Sequence, residues 1–536
     1  MSPATKRRPP QKAALPAIRN SANARVVAVI DIGTTAIRME IAELYPDGTA
    51  RPLDALTRPA SLGKDSFTLG RLQNSTIEEC VGILRQFRQT LNEYGVRDPS
   101  SVRAVATSAV REAENRDQFL DRVHVATGIF IQCLEDADLS RLAYIGIADL
   151  LDRARVPRPW NKLVVEVGGG STEILLMQQN HVTFSETYRL GSLRMRETLL
   201  TYRAAPQRVR AILTQDIRRT IEEMQTMMPP LRGVRDMIAT SSDARFAATR
   251  IEPGWDRAEF ARLAPGALAR LAARIVEQSA DDLVRAYGLS YPEAETLGPA
   301  LLTYSEIVHA FGLRRILVPN ISLRTSLEID LASNFAGTED FQRQVRHSAT
   351  ALARRFQCDL PHAQQVTDLA LRLFEALRPE HGMGSRQKLL LECAGLLHES
   401  GKFVNSRSHH KHSYYLVAHS DLFGITREEL EIIALVARYH RRSPPSAAHV
   451  EYERLARDAK LTVQKLAAIL RVADALDRVH SARVRDLDIT LDPGRITLTV
   501  HGADDLTIER FALREKGDFF MQVYGREIQL NEGKHR

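Results

Sequence analysis

The sequence predicts an α/β protein built on a duplicated unit, followed by a helical region and a small C-terminal α+β segment. Three observations lead there. Two distant segments share one design, strands and helices alternate up to about residue 333, and beyond that point the chain turns helical and rich in histidine. The first segment, Val26–Met39, runs as an apolar strand, then Asp31, a Gly33-Thr34-Thr35 turn and a second strand. The second, Leu163–Leu176, repeats that order with Glu166, the turn Gly168-Gly169-Gly170-Ser171 and Glu173 just beyond it. Each reads as a hairpin whose turn offers backbone N–H groups and hydroxyls to an anion, glycine permitting the close approach. An acid before such a turn can hold Mg²⁺ or a water. The matched pair points to a phosphate held between two halves. Two ordinary hairpins with tight turns are the alternative.

Residues 26–150 form the first unit. A helix is expected near Ile77–Tyr94, a strand at Val102–Thr107, a helix at Arg116–Thr127, a strand at Ile129–Leu134 and a helix at Leu139–Ala154. The run Val156-Pro157-Arg158-Pro159 then breaks the chain. Residues 151–333 form the second unit, where helices dominate after residue 194 and buried strands stand at Met237–Thr240 and Arg315–Val318. Residues 334–484 read as helical. In 485–536 four short strands are expected, Asp486–Leu491, Arg495–Val500, Leu506–Arg510 and Phe519–Val523.

With 536 residues the chain needs several domains, and 44% hydrophobic with 26% charged residues is a soluble globular composition. No apolar run approaches the roughly 18 residues of a membrane span. Residues 1–25 carry six basic side chains and four prolines without an apolar stretch, which reads as a disordered basic tail rather than a secretory signal. Cys80, Cys133, Cys358 and Cys393 lack C-x-x-C spacing, so neither a disulfide framework nor a zinc ribbon follows, and a reducing cytoplasm fits. The net charge of +7 permits a polyanionic partner without requiring one.

The stretch Arg103–Arg116 ends a strand in Thr107-Ser108 and places Arg111 in the following turn. That arrangement would aim Arg111 at a phosphate beside the strand end; a capping turn with a solvated arginine is the alternative. Asp31-Ile32-Gly33, Ala106-Thr107-Ser108-Ala109-Val110-Arg111-Glu112-Ala113, Arg141-Leu142-Ala143-Tyr144-Ile145-Gly146 and Val167-Gly168-Gly169-Gly170-Ser171-Thr172-Glu173 together resemble the exopolyphosphatase / guanosine pentaphosphate phosphohydrolase (Ppx/GppA) family. The likeness runs from about residue 26 to 482 and is to the long members with a C-terminal HD-like domain.

The resemblance implies two actin-like, ribonuclease-H-like domains with the active site between them. It implies Mg²⁺-assisted hydrolysis of the terminal phosphoanhydride of polyphosphate or guanosine pentaphosphate. Gly33, Thr34 and Thr35 would form the first phosphate loop, and Gly168, Gly169, Gly170 and Ser171 the second. Arg111 would contact the terminal phosphate. Asp31, Glu166 (where the family has aspartate) and Glu173 would be Mg²⁺ ligands, Glu173 also being catalytic. A homodimer is expected, with no membrane and no specific nucleic acid as partner.

The chain departs from the family where the catalytic base belongs. With Arg141-Leu142-Ala143-Tyr144 as anchor, the family's glutamate falls on Leu139, which accepts no proton. Asp138 is the adjacent candidate, Glu135 and Asp136 only if the loop shifts. Further departures are Thr34-Thr35 for Ser-Asn, Ser241-Ser242-Asp243 for Ser-Gly-Thr, and Ser322-Leu323-Arg324-Thr325-Ser326 for Gly-Leu-Arg-Glu-Gly. They touch catalysis more than binding.

In the helical region His362, His398-Glu399, His412, His440 and Asp474 are spread as in HD-type domains. There, histidines and aspartates bind one or two divalent metals. His362, His398, Glu399 and Asp474 are the candidate ligands, a structural helical domain with inherited histidines the alternative. Basic clusters at Lys402–Lys411 and Arg438–Arg442 suit an extended polyphosphate track, or a solvated surface. Three functions compete: a Mg²⁺-dependent hydrolase, a polyphosphate- or nucleotide-binding protein with little turnover, and an HD-type phosphohydrolase with a regulatory N-terminal half.

Overall fold

The computed structural model describes residues 24–45, 50–201, 206–333, 338–484, 486–502 and 505–533. The expected basic tail lies outside them but for Ala24 and Arg25.

Strand β1 (Arg25–Ile32) pairs antiparallel with β2 (Ala36–Leu44), and β2 with β3 (Ala50–Pro59). On its other side β1 runs parallel to β4 (Val102–Ala106), and β4 to β5 (Ile131–Cys133), giving the order β3-β2-β1-β4-β5. Val27 to Ile32 are all buried, which is why the central strand reads as a continuous apolar run ending in Asp31. The second unit repeats the plan. Strands β6 (Lys162–Val167), β7 (Thr172–Gln178) and β8 (His181–Tyr188) form the antiparallel meander. Beside β6 run β9 (Asp236–Thr240), β10 (Ala261–Leu263) and β11 (Arg315–Val318), in the order β10-β11-β9-β6-β7-β8. Without the edge strand β10 this is the order of the first sheet, so the duplication holds at the level of topology.

Helices Asn74–Glu93 and Arg116–Thr127 pack on one face of the first sheet. The other face is covered by Asp136–Arg153 and Leu323–Ser333, through Val29, Val105, Leu142, Ile145 and Leu327. The last helix of the second unit thus packs back on the first lobe, where Arg141 and Asp330 pair at 2.7 Å. This crossing puts Arg324 beside β1.

The helical domain docks on β8 and on helix Asp136–Arg153. Gln344 Oε1 accepts the Val182 N–H at 3.0 Å, and the Tyr144 hydroxyl donates to Asp340 at 3.0 Å. After it come β12 (Asp486–Asp492), β13 (Arg495–His501) and β14 (Glu527–Gly533), with helix Thr507–Tyr524 crossing between the parallel strands β13 and β14. The strands expected at Leu506–Arg510 and Phe519–Val523 are the two ends of that helix. Its buried residues Ala512, Leu513, Lys516, Phe519 and Phe520 recur at helical spacing, and the aromatic residues at its C-terminal end mimic a strand. Among the described residues no helix is long and apolar enough to cross a membrane.

Candidate active site

The two hairpin turns face each other. Gly33 N–H donates to Ala36 O at 3.0 Å and Gly168 N–H to Ser171 O at 2.9 Å, so both turns close in the same way. Gly169 has no room for a side chain: an added Cβ would stand 2.9 Å from Thr34 Cβ and 3.1 Å from Thr34 Cγ2. Between the lobes lies a cavity of about 210 Å³ lined by both turns and by Asp31, Glu166 and Glu173. The sequence-predicted Gly33, Thr34, Thr35, Gly168, Gly169 and Ser171 all line it. Gly170 does not; it is buried behind the turn against Phe67 and Ser108.

Glu166 and Glu173 stand directly opposite across the β6–β7 pair. Burial, and then the charge of Glu166, push the Glu173 carboxyl up to about 8, although it accepts the Ser171 hydroxyl at 2.6 Å. Glu166 is also raised, by burial, while accepting from the Thr240 hydroxyl at 3.1 Å. Asp31 is raised by burial against the opposing pull of Arg38 and Arg324. Its Oδ2 lies 3.4 Å from Arg324 Nη1, and Arg324 Nε reaches Glu40 at 3.2 Å.

Of the acids ahead of Leu139, Glu135 and Asp138 turn elsewhere, while the charge of Asp136 reaches Glu173. Leu139 itself lines the cleft. Asp138 is the N3 residue of a capping box, accepting from the Glu135 N–H at 3.2 Å, and lines a separate small cavity against the helical domain with Phe341 and Thr426. The candidate base Asp138 is therefore not a cleft residue. One helical step rotates the side chain by about 100°, and that step gives the cleft to leucine. Glu135 accepts from the Arg427 N–H at 2.9 Å. Asp136 pairs with Arg111 at 2.8 Å. Arg111 also donates to Leu134 O at 2.8 Å, and its charge reaches the cleft carboxyl of Glu173, whose ionised form it favours.

Arg38, Arg245 and Glu293 line the cleft without having carried a sequence signal, and Asp243, noted only as a departure, joins them. Asp243 is pushed up to about 7 by burial. Arg245 donates to Ile321 O at 2.5 Å. The buried Tyr304 hydroxyl accepts from Val167 N–H at 2.9 Å and bonds Thr240 O, tying the ends of β6 and β9 beneath the second turn. Ser241, next in the chain, holds φ = 132°, a region costly for any residue but glycine, and caps the following helix through Ala244 N–H at 3.2 Å. Ser322-Leu323-Arg324 was noted only as a departure, yet it supplies Arg324 to Asp31.

In the helical domain the structure brings His362, His398 and Asp474 together, with Glu399 and His480 beside His362. Lys516 joins them unannounced by the sequence. His412 is not part of this group. Of the basic clusters, Lys402 is taken by Glu399 at 2.5 Å and Arg438 by Glu451 at 3.2 Å. Arg441 and Arg442 form no ion pair with another described residue.

Two lobes with one strand order, meeting across paired glycine- and hydroxyl-bearing turns and a nest of carboxylates, are the architecture the family resemblance implies. The chain belongs to the Ppx/GppA phosphatase family: that family's profile matches residues 46–335, and the profile of its domain III matches 345–512. The chain is 22% identical over 458 residues to the guanosine-5'-triphosphate,3'-diphosphate pyrophosphatase of Aliivibrio fischeri (strain ATCC 700601 / ES114), covering 85% of this chain and 87% of that protein. Among solved structures it is similar to an exopolyphosphatase from Cytophaga hutchinsonii ATCC 33406, at 20% identity and TM-score 0.50, over 58% of this chain and 98% of that one. An exopolyphosphatase-like protein aligns at 21% identity and TM-score 0.51, over 58% and 99%. These structural likenesses establish the fold.

Proposed function

We propose that this chain hydrolyses the terminal phosphoanhydride of inorganic polyphosphate or of guanosine pentaphosphate in the cleft between its lobes, with Mg²⁺. The observation that carries the reading is the convergence of Asp31, Glu166 and Glu173 on a cavity bounded by two anion-cradling turns. Hard carboxylate oxygens suit Mg²⁺, and Glu166 facing Glu173 concentrates negative charge that a cation would relieve. Among the described residues no three cleft carboxylates bring oxygens within 4.8 Å of one another. That spacing suits an ion held by one or two carboxylates, with water and substrate oxygens completing its shell. When bound, Mg²⁺ neutralises charge developing on the phosphoryl oxygens.

The chain's own groups do the rest. The turns position the phosphate through N–H groups, and Arg38 and Arg245 supply positive charge at the cleft wall. Arg324 is held on Asp31 and Glu40 and orients Asp31. Proton acceptors matched to neutral pH are the most effective. In the cleft, Glu173 is pushed up to about 8 and Asp243 to about 7, both close to that range. Leu139, at the position of the family's base, takes no proton. We therefore expect turnover below that of a member with an acid there.

Leu139 also favours a second reading, a polyphosphate- or nucleotide-binding protein with little turnover. Phosphate release from polyphosphate and from guanosine pentaphosphate, measured with Mg²⁺ and with chelator, separates the two. Binding without Mg²⁺-dependent release of phosphate from either substrate selects the second. A cytoplasmic homodimer is the assembly and location that go with the first reading, and the four unpaired cysteines agree with a reducing compartment.

A further inference from the structure

Helices Leu360–Ala376, Ser385–Leu397 and Arg457–Leu476 carry His362, the adjoining His398 and Asp474 to one buried point. Both imidazoles are oriented from behind. His362 Nδ1 lies 2.8 Å from Asp477 Oδ2, and His398 Nδ1 lies 2.7 Å from Gly395 O. A carbonyl oxygen only accepts, so His398 carries its proton on Nδ1 and, as a neutral ring, turns the Nε2 lone pair inward. The Nε2 atoms of His362 and His398 each stand 3.7 Å from Asp474 Oδ1. Neither makes a hydrogen bond, and Glu399 Oε2 is likewise without one. Back-oriented imidazoles with free inward nitrogens beside a carboxylate are the donor set of a divalent transition metal.

A cation is already there. Lys516, on helix Thr507–Tyr524, is buried and forms an ion pair with the other oxygen of Asp474. Lysine is almost never fully buried unless paired, and this one is paired inside the histidine cluster. A metal on Asp474 Oδ1 and the two Nε2 atoms would sit within a few ångströms of the ammonium, in a site with little water to screen the repulsion.

We propose that Lys516 supplies the cation of this cluster. The chain then holds no divalent metal at His362, His398 and Asp474, and the ion pair clamps the C-terminal segment onto the helical domain. Removing the ammonium opens a metal site that the histidines have kept in shape.

The test uses the full chain, stripped with chelator and dialysed against Co²⁺, with bound metal measured by mass spectrometry and by cobalt ligand-field absorption. The wild type should match His398→Ala in cobalt content. Lys516→Met and Lys516→Ala should each gain about one equivalent, the number expected for one His/carboxylate site, and lose it again when His398→Ala is added. A wild type that binds one equivalent lost on His398→Ala overturns the proposal, whether or not the Lys516 variants fold. So does a folded Lys516→Met that gains none.

Discussion

Glu166 and Glu173 face one another across the β6–β7 pair, each at the edge of the turn Gly168-Gly169-Gly170-Ser171. The carboxyl of Glu173 is held up to about 8 by burial and by its partner's charge. In the unfolded chain it ionises near 4.5. A raised acid stabilises the fold below its unfolded value, and that contribution is lost as pH rises through the folded value. In chelator, the stability of the wild type relative to Glu173→Gln should therefore fall between pH 4.5 and about 8. Denaturant melts across that window measure it, and a constant difference between the two proteins would show that Glu173 is not held neutral.

Leu139→Glu places an acid in the cleft at the position where leucine now stands. Loss of one general base commonly costs a factor of roughly 10² to 10⁴. The variant should raise Mg²⁺-dependent phosphate release at least about tenfold and leave affinity nearly unchanged. Asp138→Asn, which acts in a helix cap, should change stability more than rate. The opposite outcome, a rate collapse with Asp138→Asn and no gain with Leu139→Glu, would return Asp138 to the site.

Gly169→Ala drives a methyl group into Thr34 of the opposing turn. Overpacking of this kind costs about 1–3 kcal/mol, and here it falls on the contact between the lobes. Substrate affinity should drop by about tenfold or more, since 1.4 kcal/mol corresponds to tenfold. Adding Thr34→Gly should restore part of it. Unchanged affinity in Gly169→Ala would mean that the turns part before substrate binds.

Long polyphosphate should bind more tightly than short chains, with log affinity falling as log salt rises, because each neutralised phosphate releases counterions. Arg441→Ala with Arg442→Ala should weaken long chains and spare short ones. Equal weakening of both lengths, or of neither, leaves these arginines as surface.

The sequence by itself determined the repeated strand–acid–turn–strand design, the glycines of the turns and the family. All of these are written in contiguous residues, because a turn's hydrogen bonds and a strand's apolar run close within a few positions. It also raised the expectation that Leu139 stands where the family carries an acid. Tertiary structure alone decided what each charged group faces. Asp138 and Leu139 differ by one helical step, and only the packing of helix Asp136–Arg153 between the first sheet and the helical domain says which of them meets the cleft. Arg111 carries the right motif, and only the fold pairs it with Asp136 while its charge still reaches Glu173. Arg324 reaches Asp31 because the last helix of the second unit crosses to the first lobe. Lys516 reaches Asp474 because two expected strands and the stretch between them form one helix with a buried face. Such pairs are set by how whole elements stack, and no local pattern encodes them.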